Sequence, residues 1–93
     1  MSPRWTTVGN ASLYFYPDEP HLRPHVDVIG PDWNVTIALD TFEVLVRSGK
    51  VPPKALKQVL EVLRTHQRQA IAAYRATLKH QFPGILHTEE DEP

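Results

Sequence analysis

Two periodicities divide the chain near residue 52. Before it, apolar residues recur at every second position in short runs. After it, they recur three and four apart. "WNVTIAL" (33–39) is the clearest of the short runs. Trp33, Val35, Ile37 and Leu39 share one face, and Asn34, Thr36 and Ala38 the other, as in a half-buried antiparallel strand. "HVDVI" (25–29) repeats the pattern, with Val26 and Val28 opposite His25 and Asp27, and closes at Gly30-Pro31. "SLYFY" (12–16) is aromatic and β-prone, and Pro17 stops it. "FEVLV" (42–46) follows a turn at Asp40-Thr41 and ends at Ser48-Gly49. "PDEPHLRP" (17–24), with three prolines, is a loop. The other connections are too short for crossover helices, so the strands form an antiparallel meander.

The second period begins behind Pro52-Pro53, residues suited to a first helical turn because their missing N–H groups have no intrahelical partner there. Nothing breaks a helix from Lys54 to Phe82, before Pro83-Gly84. Leu56, Val59, Leu60, Leu63, Gln67, Ala70, Ile71, Tyr74 and Leu78 line one stripe, and all but Gln67 are apolar. Such a helix is about 40 Å long, against about 17–20 Å for a typical strand. Its second half is therefore expected to pass the sheet, where it can kink, cover a partner or pair with a second copy. The fold class is α+β: a three- to four-stranded antiparallel meander sheet packed against one long C-terminal amphipathic helix. Residues 1–83 make a single domain, and 84–93 an acidic, flexible tail.

Composition narrows the function classes. A chain of 93 residues is one domain with a thin stability margin, so a partner or a dimer can supply missing burial. The absence of cysteine removes disulfides, thiolate nucleophiles and sulfur-ligated zinc. No apolar run approaches the roughly 18 residues of a membrane span, and the first ten residues lack a signal-peptide core. The expectation is a soluble, cytoplasmic protein with no membrane partner. The net charge of −1 hides an asymmetry: −2 over residues 1–52, +5 over 53–83 and −4 over 84–93.

Alternation places Tyr14, Tyr16, His25, Asp27, Asn34 and Thr36 together on the face away from the helix. His25 and Asp27, two apart, have Cα atoms about 6.5–7 Å from each other. An imidazole beside a carboxylate can be a general base with its orienter, or part of a metal site with His21. The competing reading is the wet face of a one-sided sheet, where polar residues belong. His21 and His25 are four apart, which is a zinc spacing only on a helix, and the prolines exclude a helix here. No metal or other cofactor is expected. His66 flanks the apolar stripe, either as the edge of a core or as a catalytic imidazole. Lys57, Arg64, Arg68, Arg75 and Lys79 line one side of the helix. That line can track phosphates, face solvent, or meet an acidic partner or the chain's own tail, and Glu61 dilutes it. No Walker loop, dinucleotide fingerprint, nucleophile elbow or zinc knuckle is present.

The order of "LYFY", a proline-rich loop, "PHVDV", "VTIALDTFEVL" and "VPPKALKQVLEVLRTHQRQAI" resembles a family of small bacterial proteins known as a domain of unknown function. Its members carry a Pro-His-x-His-Val strand, an Ile-Asp-x-x-Thr-Gly-Glu-Val-Leu hairpin, and a proline-led helix with an inward-facing histidine. Some are described as DhiT-type toxins of type II toxin–antitoxin pairs. The resemblance covers roughly residues 10 to 75. Pro24, His25 and Val28 match the strand motif, and Asp27 stands at the second histidine. Asp40, Thr41, Glu43, Val44 and Leu45 match the hairpin, with Phe42 at the usual glycine. Pro52 or Pro53 matches the leading proline, and His66 the helix histidine. A two-imidazole metal site would be lost with Asp27, whereas a base and its orienter would persist.

The resemblance implies a DhiT-like toxin held inactive by a cognate antitoxin. The resemblance supplies no mechanism; were the protein an enzyme, the residues would suit a metal-independent, nuclease-like reaction on nucleic acid such as RNA. His25 would then be general base or acid, Asp27 its orienter and His66 a further catalytic candidate. Tyr14 or Tyr16 would contact substrate, and the basic helix would hold the backbone. The alternative is a non-catalytic module that binds a protein through the open sheet face or the long helix.

Overall fold

The computed structural model describes residues 4–16 and 23–78. Five strands, Arg4–Val8 (β1), Ala11–Tyr14 (β2), His25–Ile29 (β3), Trp33–Ala38 (β4) and Val44–Gly49 (β5), precede two helices, Pro53–Thr65 (α1) and Gln67–Leu78 (α2). The strands form one antiparallel sheet in sequence order. The α+β class and the meander are as the alternation predicts. The three- to four-strand count is corrected to five. "RWTTV" forms β1, and Gly9-Asn10 turns it into β2, with Val8 opposite Ala11. Gly9 has φ of 60°. Glycine at the first position of a two-residue hairpin loop is the requirement of a type II′ turn.

The single long helix is corrected to two. His66, at φ −118° and ψ 34°, leaves the helical region and separates α1 from α2. Its N–H still donates to the Val62 carbonyl at 3.0 Å, and its own carbonyl accepts from Ala70 N–H at 2.9 Å. The break is therefore inexpensive in hydrogen bonds. α1 packs against β1, and α2 against β3. A straight rod would overrun the sheet, whereas the bend returns Ala70, Ala73 and Tyr74 to the core. Residues 79–82 of the expected helix, and the acidic tail 84–93, lie outside the described residues.

One face of the sheet meets the helices. Leu13, Phe15, Val26, Val28, Val35, Ile37 and Leu39 form a continuous core with Val59, Leu63, Ala70 and Tyr74. Leu56, Leu60 and Ile71, also in the expected stripe, are half-buried against it. Both edge strands carry a bulge. Trp5 is the extra residue in β1, between Arg4 opposite Tyr14 and Thr6 opposite Leu13. Leu45 is the extra residue in β5, between Val44 opposite Ile37 and Val46 opposite Thr36. Edge bulges discourage strand-to-strand association, which matters most at β5, exposed along nearly its whole length.

Candidate functional site

A single cross-strand row runs over the open face: Arg4, Tyr14, Asp27, Thr36 and Val46. Asp27 sits at its centre on the middle strand, half-buried. The Thr36 hydroxyl donates to Asp27 Oδ1 at 2.7 Å and fixes the carboxylate's orientation. The rings of Tyr14 and Tyr16 stack 5.8 Å apart at 21°. The Tyr16 phenol is pushed above its ordinary pKa, first by burial and then by the charge of Asp27. The next row holds Ser12, Ile29, Asn34 and Ser48. The face expected from alternation is therefore assembled.

His25 shares this face by register but not its exposure, being only 6% accessible. It lies at the start of β3, where α2 reaches the sheet, and its ring is tilted against that of Tyr74 at 5.2 Å. Nδ1 is 2.9 Å from the Arg23 carbonyl oxygen. A carbonyl can only accept, so Nδ1 carries the proton, and in the neutral ring Nε2 holds the lone pair. Among the described residues Nε2 has no hydrogen-bond partner. His25 and Asp27 are not hydrogen bonded to each other: the imidazole is oriented by the chain behind it, and the carboxylate by Thr36.

The Arg23 side chain reaches the β4–β5 turn. It donates to Asp40 Oδ1 at 3.0 Å, to Thr41 Oγ1 at 2.9 Å and to Glu43 Oε1 at 3.2 Å. The guanidinium holds the Asp40 carboxyl below its ordinary pKa. Leu39 N–H adds a backbone bond to the Pro24 carbonyl at 2.9 Å. These ties seat Arg23 and Pro24 and frame a pocket of about 330 Å³ lined by Arg23, His25, Thr36, Leu45 and Val46. The bulge puts Leu45 and Val46 side by side on the pocket wall, which simple alternation does not predict. Arg23 was equally hidden in the sequence, since a loop arginine carries no periodic signal. A larger cavity, about 880 Å³, opens at the opposite end of the sheet beside Gly9, Trp33 and the start of α1, and none of the candidate residues lines it.

The other candidates lie elsewhere. His66 is half-buried at the helix junction and shares no hydrogen bond or ring contact with His25 or Asp27. Lys57, Arg64, Arg68 and Arg75 are exposed on the helices, which cover the other face of the sheet. Arg64 lies over the Phe42 ring at 5.8 Å. The basic line and the Asp27 row are thus separated by the sheet. Lys79 and His21 lie outside the described residues. Among the described residues no three His, Asp or Glu side chains converge as metal ligands, and no helix is long and apolar enough to cross a membrane.

Residues 11–75 match the family described as "Domain of unknown function (DUF4160)". No curated protein and no solved structure matches the chain.

Proposed function

Since the chain belongs to the DUF4160 family, whose description assigns no activity, we propose from its geometry and motifs that it is a DhiT-like toxin whose cognate antitoxin covers the open sheet face. The observation that carries this reading is the His25 pocket. A buried imidazole is held by Nδ1, Nε2 has no partner among the described residues, and Leu45 and Val46 provide an apolar wall. A neutral imidazole fixed in one tautomer is suited to proton transfer at its second nitrogen. Among the described residues Leu45, Val46, Tyr16 and Ile29 are the large apolar side chains left exposed, and all four are on the open face. A protein partner would bury them.

The second reading is a non-catalytic interaction module. The separation of His25 from Asp27's hydrogen bond, and of both from the basic helices, favours it. A nuclease-like reaction on RNA would need the strand to reach past the sheet to Lys57, Arg64, Arg68 and Arg75.

Induced expression in a bacterial host separates the two readings, with growth and protein level followed together. The wild type is compared with His25→Ala and His25→Asn. Asparagine keeps a donor near the Nδ1 position and removes Nε2. Growth arrest by the wild type alone, at equal levels of folded protein, supports a toxin working at His25. Arrest retained by His25→Asn points to a structural imidazole. Normal growth from all three leaves the interaction module as the better reading.

A further inference from the structure

Acidic side chains on the described sheet and its turns are not equally compensated. Asp40 and Glu43 are both ion-paired to Arg23, at 3.0 and 3.2 Å. Asp27 has no ion pair among the described residues; its hydrogen bond comes from the neutral Thr36 hydroxyl. That bond uses one lone pair of Oδ1 and leaves Oδ2 for another donor. Arg4 ends the same row on β1, beyond Tyr14, and makes no ion pair with Asp27. A half-buried carboxylate on the middle strand, fixed in orientation and without an ion pair among the described residues, favours a cation brought to it by a partner.

The neighbours on the same face narrow the kind of cation. Tyr14 is directly opposite Asp27 across β2 and β3. The Tyr16 ring is stacked against that of Tyr14, and its phenol feels the Asp27 charge. Two phenol rings beside a carboxylate suit a flat, weakly hydrated cation that can stack on a ring while donating two hydrogen bonds. Guanidinium has that shape; ammonium does not.

We propose that Asp27, Tyr14 and Tyr16 form a binding site on the open sheet face for an arginine side chain of a protein partner. This deepens the reading that a partner covers this face. Thr36 belongs to both the Asp27 row and the His25 pocket. One partner segment can therefore place an arginine on Asp27 and a neighbouring apolar side chain against Leu45 and Val46. The complementarity is of charge at the centre and of apolar contact at the side, the usual layout of a small anchoring site.

The test is a two-dimensional NMR titration of the whole chain with N-acetyl-arginine amide. The neutral isostere N-acetyl-citrulline amide and N-acetyl-lysine amide serve as controls. The expected result is saturable shifts at Tyr14, Tyr16, Asp27 and Thr36 with the arginine probe, and weaker ones with both controls. Asp27→Asn retains an acceptor for the Thr36 hydroxyl and so keeps the local structure. It should weaken the arginine response about fivefold, the upper range for an exposed charge pair. Tyr16→Leu should weaken it as well. No saturable shift, an equal response to citrulline or lysine, or an unchanged response in Asp27→Asn overturns the proposal. The titration does not depend on growth arrest: a toxic protein that ignores the arginine probe refutes the site and leaves the toxin reading standing.

Discussion

The imidazole of His25 donates from Nδ1 to the carbonyl oxygen of Arg23, 2.9 Å away, and the guanidinium of the same Arg23 grips the β4–β5 turn. One residue thus orients the ring with its backbone and closes the pocket rim with its side chain. Loop, strand start and hairpin turn become one unit around a single nitrogen. The carboxylate two residues along takes no part in it. Asp27 belongs instead to the cross-strand row with Thr36 and Tyr14. The two polar residues that look like a pair in "HVDV" are parts of two adjoining arrangements.

The first prediction concerns His25 itself. His25→Ala removes a part-buried hydrogen bond and the contact with the Tyr74 ring. It should lower unfolding stability by roughly 1–3 kcal/mol. His25→Asn should recover part of that loss, because its amide can still donate toward the Arg23 carbonyl. Urea unfolding of the three proteins measures the order. Equal stability of the alanine and asparagine variants would mean that the Nδ1 bond contributes nothing.

A second prediction follows from the Arg23–Asp40 pair. Arg23 lowers the Asp40 pKa below its ordinary value of 3.8. A lowered carboxylate pKa contributes stability that is fully present above the unfolded value and is lost as pH falls through the folded value. The wild type should therefore exceed Arg23→Gln in stability at neutral pH. The difference should shrink as pH drops below about 4, and the part due to Asp40 should be lost once Asp40 is protonated in both, leaving what the bond to Thr41 contributes. Carboxyl NMR titration should show Asp40 moving up toward its ordinary pKa in the variant. An unmoved Asp40 would remove the physical basis for the pair.

How much of this was legible depended on whether a feature had a period. The alternation of "WNVTIAL" placed Val35 and Ile37 in the core and Thr36 outside. The three-four spacing identified Val59, Leu63, Ala70 and Tyr74 as core. "RWTTV" carries the aromatic and β-branched residues of a strand followed by Gly-Asn, but the bulge at Trp5 breaks its alternation. The bulges at Trp5 and Leu45 had no period to betray them, because each is a one-residue departure from one. The break at His66 was likewise silent, with neither proline nor glycine beside it. It accompanies tertiary packing, in which α1 lies against β1 and α2 against β3. The candidate face was readable for the same reason as the core, but the partners of His25 and Asp27 were not. They come from a loop carbonyl and a neighbouring strand.

The helix junction gives a third prediction. The Gln67 side-chain amide donates to the Leu39 carbonyl at 2.9 Å and ties the start of α2 to the hairpin turn. Gln67→Ala should cost about 0.5–1.5 kcal/mol, the usual net worth of such a bond. Gln67→Glu should cost more at neutral pH, since a carboxylate cannot donate and faces a carbonyl instead. Lowering the pH to protonate the introduced carboxylate should narrow the gap between the two variants. A Gln67→Glu protein as stable as wild type at neutral pH would show that the bond is not formed in solution.

The last prediction rests on Phe42, which stands in the hairpin turn at φ 65°, the left-handed region that favours glycine. Its N–H donates to the Ala38 carbonyl at 2.8 Å, so the turn holds that conformation. A residue with a Cβ is disfavoured there by about 1–2 kcal/mol relative to glycine. The ring offsets this by packing against the core edge and beneath Arg64. Phe42→Ala keeps the backbone strain and loses the ring; Phe42→Gly loses both. The glycine variant should therefore be the more stable of the two by about 1 kcal/mol, although glycine is the more flexible residue when unfolded. This ordering reverses the usual one, so thermal or urea unfolding of the pair is decisive. If alanine is the more stable, the turn relaxes out of the left-handed region once the ring is gone. In that case the ring, through its seat under Arg64, is what holds the backbone there.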